Sequence, residues 1–118
     1  GITQARAGNR LGDISAAIGE VAHAAGYSVN TDFGGHGVGR TMHEEPSIPN
    51  DGRAGRGPKL QAGMVFAIEP WLMVGTDELV YDEDGWTLRS ADGSRAAHTE
   101  HTVVVTDGDP LVLTRWPS

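Results

Sequence analysis

Along residues 9–25, NRLGDISAAIGEVAHAA, apolar positions fall at Ile14, Ala17, Ile18, Val21, Ala22 and Ala25. That three-and-four spacing predicts an amphipathic helix with a single apolar stripe. Asn9 or Asp13 is placed to cap its start, and Gly26 sits where a left-handed residue ends a helix. His23 lies beside the stripe and reads as a surface histidine. Beyond Gly26 the period changes. YSVN (27–30) is a short strand candidate, GMVFAIEPWLMV (63–74) is the strongest strand signal, AAHTEHTVVVT (96–106) is another, and PLVLT (110–114) is a last short one. ELVYDEDGWTLRS (78–90) reads as a hairpin turning at Asp84-Gly85. PSIPNDGRAGRGPKLQA (46–62), rich in proline and glycine, reads as a long loop. One helix followed by strands able to pair antiparallel is an α+β pattern. The helix should cover one face of the sheet, with Ile14, Ile18, Val21, Phe66 and Ile68 in the core.

The 118 residues suit a single domain or one half of a larger one, long enough to bury a real core. No apolar run approaches the roughly 20 residues of a membrane span. The opening GITQARAGNR has no signal-peptide core and no initiator methionine, so an excerpt of a longer protein is expected. A net charge of −7 argues against a nucleic-acid partner, which calls for clustered Lys and Arg. The absence of cysteine removes disulfides, thiolate zinc sites and cysteine nucleophiles. Glycine, at 17 residues, is about twice its usual ~7% share, which predicts tight turns or backbone close to a ligand.

Candidate chemistry gathers in three places. FGGHGVGRTMHEEP (33–46) sets two histidines among glycines and acids. On the 63–74 strand, Val65, Ala67 and Glu69 share one face, while Met64, Phe66 and Ile68 share the other. On the 96–106 strand, His98, Glu100, Thr102 and Val104 share a face. A single strand glutamate ordinarily faces solvent, but two of them beside a glycine-flanked His36 make a ligand set for a divalent ion such as Mn, Fe, Co or Zn. HExxH, CxxC, P-loop and GxSxG patterns are all absent. From composition and spacing alone, a glycine-rich polar loop and a metal site remain equally open.

GHGVGRTMHEEP, then GMVFAIEPW, DGWTLRS and HTEHTVVVT, taken in that order and spacing, resemble the type I methionine aminopeptidases of the pita-bread metallopeptidase family. The resemblance runs from about residue 2 to residue 114. It implies the C-terminal lobe of a pita-bread fold, an antiparallel curved sheet with a covering helix, and residues 1–118 as the C-terminal portion of a catalytic domain. It implies metal ligation by His36, Glu69 and Glu100. His43 would contact substrate near the scissile amide and assist catalysis with Glu69, and Met42 and Trp86 would wall the methionine pocket. Relatives often carry phenylalanine at Met42 and glutamine at His98, whose role the resemblance leaves open. Two divalent ions (Co, Mn, Fe or Zn) per complete site are implied. So are a cytoplasmic location, nascent polypeptide N-termini as substrates, the ribosome and the N-terminal half of the same enzyme as partners, and no nucleic acid or membrane.

The family's two aspartate ligands, about eleven residues apart, have no match here. Asp82 and Asp92 have a similar separation but flank a hairpin already used by DGW. The chain alone is therefore expected to be inactive. The alternatives are a non-catalytic pita-bread binding module, or a relative of prolidase or aminopeptidase P.

Overall fold

The structure is a computed structural model that describes residues 1–117. Helix α1 spans Leu11–Ala24. It starts where the Asp13 carboxylate accepts a hydrogen bond from the Arg10 N–H (2.7 Å), so Asp13 closes the first turn from inside and neither it nor Asn9 is the capping residue. It stops as expected, with Gly26 at φ +83°. The strands follow as β1 (Ser28–Val29), β2 (Gly35–Gly37), β3 (Glu44–Ile48), β4 (Val65–Ile68), β5 (Trp71–Met73), β6 (Leu79–Tyr81), β7 (Leu88–Ser90), β8 (Ala96–His98), β9 (His101–Val104) and β10 (Leu111–Val112).

All pairings between these strands are antiparallel. The main sheet runs β10-β9-β4-β2-β3, a second runs β1-β5-β8, and β6-β7 is a separate hairpin. The long strands expected at 63–74 and 96–106 are each broken in two. Ile68 pairs with His101 in the main sheet, and pairing resumes at Trp71 and His98 in the second. Pro70 supplies the reason, because a proline has no N–H to give to the ladder of a central strand. The loop expected from residue 46 starts later: Pro46 lies in β3, an edge strand, where its missing donor costs nothing. The turn expected at Asp84-Gly85 is a longer connection, closed by the Asp82 N–H donating to the Thr87 carbonyl (2.8 Å), with Gly85 at φ +69°.

The core joins Leu11, Ile14 and Ile18 of α1 to Ile48, Phe66, Ile68, Val103 and Val105 from the sheet side. Phe66 and Ile68 therefore face the helix, as the alternation requires. Val21 does not: it is 70% exposed. The buried stripe of α1 is Leu11, Ile14, Ser15, Ile18, Gly19 and Ala22. Ser15 and Gly19 of that stripe, and Gly12 beside it, lie under the 51–56 loop. A Cβ on Gly12 would stand 2.7 Å from the Arg56 carbonyl oxygen, and one on Gly19 would stand 2.8 Å from the Asp51 carboxyl carbon. Close backbone packing selects small residues there, and an apolar count passes over them. No helix of the described residues is long and apolar enough to cross a membrane.

The β6–β7 hairpin is tied down by Asp92, which accepts hydrogen bonds from the Ser90 hydroxyl (2.6 Å) and the backbone N–H groups of Thr76 (3.0 Å) and Ser94 (2.9 Å). These donors, led by the Ser90 and Ser94 hydroxyls, hold its carboxyl well below the ordinary value of 3.8. A depressed folded-state pKa contributes stability above the unfolded value, and that contribution is lost as pH falls through the folded value. Thermal unfolding should show the wild type more stable than Asp92→Asn near neutral pH. The difference should shrink as pH is lowered below 3.8. A difference that does not change with pH would contradict this role for Asp92.

Candidate metal centre

The register across the main sheet places the site. His36 pairs with Ala67, and Ala67 pairs with Thr102, so the three stand side by side on one face. Glu69 lies two residues beyond Ala67. Glu100 lies two residues before Thr102 on an antiparallel neighbour. Both acids therefore reach the same end of the same face, at the break shared by β4/β5 and β8/β9. Ala67, buried and small, leaves room above it.

The two glycines around His36 serve the opposite side. A Cβ on Gly35 would strike the Ala67 carbonyl, and one on Gly37 would stand 2.8 Å from the Glu45 carbonyl carbon and 3.0 Å from the Glu44 carbonyl oxygen. Glycine here lets three strands close up, which carries the imidazole to the acids.

One ligand atom each from His36, Glu69 and Glu100 can be chosen so that all lie within 4.8 Å of one another. Nε2 of His36 is 3.1 Å from Oε1 of Glu69, with side chains only 13% and 14% exposed. Glu100 is exposed. Nδ1 of His36 lies 2.9 Å from the Gly37 carbonyl oxygen. A carbonyl only accepts, so Nδ1 carries a hydrogen and donates it. Nε2 then presents either a second proton or a lone pair aimed at a carboxylate, and a lone pair there requires a cation between the two atoms. A second carboxylate nearby adds negative charge that a cation also offsets. One imidazole nitrogen and two carboxylates fit a divalent ion of the Mn, Fe, Co or Zn group.

The other candidate residues divide. The His43 ring lies 4.1 Å from that of His36, tilted by 39°, so it borders the centre. Met42 is 73% exposed and Trp86 87% exposed, on the β2–β3 and β6–β7 connections. A pocket wall from these two is not enclosed by the described residues. Asp82 and Asp92 are engaged elsewhere, Asp82 with Arg89 (2.7 Å) and Asp92 as described above. His98 does reach the site, with Nε2 3.2 Å from Oε2 of Glu69.

Two contributors escaped the sequence reading. Buried Asn50 donates from Nδ2 to the backbone carbonyls of Glu69 (3.2 Å) and Phe33 (3.3 Å), which ties the Glu69 backbone to the segment entering β2. Its only sequence signal is a Pro-Asn-Asp-Gly run, which reads as a turn. Trp71 stacks on His98, with centroids 4.2 Å apart and planes 16° apart.

Residues 1–107 match metallopeptidase family M24. The chain belongs to this family. Within M24, it is 49% identical over 120 residues to methionine aminopeptidase 1 of Mycobacterium tuberculosis, covering 97% of this chain and 45% of that protein. It is 51% identical over 114 residues to methionine aminopeptidase of Clostridium perfringens, covering 97% and 46%. The crystal structure of methionine aminopeptidase from Thermotoga maritima superposes with a TM-score of 0.93 at 46% identity, covering 98% and 46%. The α+β pita-bread architecture is thus the architecture of this M24 chain, which spans less than half the length of the curated relatives it matches.

The glycine packing around His36 gives a direct test. Gly37→Ala should destabilise the protein by about 1–3 kcal/mol, as overpacking against backbone does, and should weaken manganese binding by moving His36. Gly108→Ala, where an added Cβ meets nothing within 4 Å, should stay within about 0.5 kcal/mol of wild type. Urea unfolding and calorimetric titration check both. A neutral Gly37→Ala would contradict the packing account.

Proposed function

We propose that the complete protein is a metal-dependent aminopeptidase that removes the N-terminal methionine from newly made polypeptides in the cytoplasm. This chain would be the C-terminal portion of its catalytic domain, and nascent N-termini its substrates. The supporting observation is the convergence of His36, Glu69 and Glu100 on one face, with the His36 tautomer set by the Gly37 carbonyl. The likeness to methionine aminopeptidases across nearly the whole chain supports the choice of substrate. The ribosome as a partner is part of the same proposal.

His36, Glu69 and Glu100 would hold the metal. A divalent ion there supplies Lewis acidity toward the amide carbonyl and makes water ionisable at neutral pH. The Glu69 carboxylate, whose Oε2 accepts from His98, would carry a proton toward the leaving nitrogen. His43, beside His36 and exposed, can present an N–H to a carbonyl oxygen as negative charge develops on it. Trp86 and Met42 would form the apolar pocket wall once the rest of the protein covers them. The N-terminal half would supply two aspartates and complete a two-ion site. A non-catalytic binding module would have no need of four retained chemical groups in this geometry, which favours the enzyme. A prolidase or aminopeptidase P specificity remains the competing outcome of the substrate test.

Calorimetric titration of the 118-residue chain with manganese should show one weak site, and Glu69→Gln should abolish it. The chain alone should release no methionine from a Met-Ala-Ser peptide, and adding the N-terminal half should restore release. Two tight ions per chain, or turnover by the isolated chain, would show that ligands other than these complete the centre. Preference of the reconstituted protein for an X-Pro peptide would replace the methionine assignment.

A further inference from the structure

Glu69 is held at both oxygens. Oε1 faces Nε2 of His36 at 3.1 Å, and Oε2 faces Nε2 of His98 at 3.2 Å. A carboxylate only accepts, so Nε2 of His98 carries a hydrogen and donates it. His98 lies outside the three-residue ligand cluster. Its ring is fixed from behind by Trp71, stacked at 4.2 Å and 16°. Trp71 in turn meets Phe33 at 5.7 Å and 42°. Trp71 and His98 are register partners and form the first pair beyond the strand break. The Glu69 backbone is meanwhile fixed by Asn50. A carboxylate at the end of a strand would otherwise rotate freely about its last torsion, which has a broad, twofold preference.

We propose that His98, clamped by Trp71, is a positioning residue that ties Oε2 of Glu69 and so presents Oε1 alone to a cation shared with His36 and Glu100. Glu69 then engages the ion through one oxygen. Hydrogen bonds that orient a ligating carboxylate in this way typically alter metal affinity 10- to 100-fold. The inference rests on the metallopeptidase reading.

The test uses the complete protein, with manganese alone as probe. His98→Phe keeps a flat ring against Trp71 and removes the N–H. His98→Gln restores an N–H donor without the ring. Calorimetry should show His98→Phe binding manganese about 10-fold or more weakly than wild type, with the metal-free unfolding temperature little changed. His98→Gln should recover most of the affinity. Wild-type affinity in His98→Phe overturns the inference, as does His98→Gln binding as weakly as His98→Phe. A loss of affinity matched by an equal loss of metal-free stability assigns His98 to folding and also overturns it. A wild-type protein that binds no manganese overturns the metallopeptidase reading and this inference together, an outcome distinct from the others.

Discussion

Pro70 cannot donate to a strand ladder, and β4 is a central strand with a neighbour on each side. The pairing therefore has to stop beside it. It stops on both strands at once, between the Ile68–His101 and Trp71–His98 pairs, and the two chains pass together from one sheet into another. Glu69 and Glu100 fall in that interval, free of ladder pairing but still aimed by the alternation of the strands that lead into it. The core face of the same strands, through Phe66, Ile68 and Val103, is held against α1. A slip of one residue would turn both acids into the helix and both core residues outward, so burial of the core fixes the register of the site.

That arrangement gathers negative charge in a half-buried place, around a histidine nitrogen that faces a carboxylate oxygen. A proton on Nε2 or a divalent ion between the side chains would offset that charge. His36, Glu69 and Glu100 belong to a chain of family M24 that spans less than half the length of the curated relatives it matches. Met42 and Trp86 leave exposed apolar surface, which in the proposed enzyme is the pocket wall that further chain would cover.

The helix, the antiparallel strands and the facing of Glu69, Glu100, Phe66 and Ile68 were legible because each rests on a period of 3.6 or 2. The paired break was less so. Its signal, Pro70, stood inside the run that reads most strongly as one strand. Val21 was misplaced because the helix buries Ser15 and Gly19 under Asp51 and Gly52 of the following loop, and small residues carry no apolar signature. The part played by Asn50 was out of reach, since it depends on a loop folding back onto the Glu69 carbonyl across 19 positions. His36 was found through its glycines, although they serve the packing of three strands and do not expose the imidazole.

The most direct measurement is anomalous diffraction from crystals of the complete protein grown with manganese. The account predicts a manganese peak bonded by Nε2 of His36, Oε1 of Glu69 and a carboxylate oxygen of Glu100, at the strand break. A peak bound elsewhere while these three side chains stand empty, or one bonded by Nδ1 of His36 in place of Nε2, would contradict it.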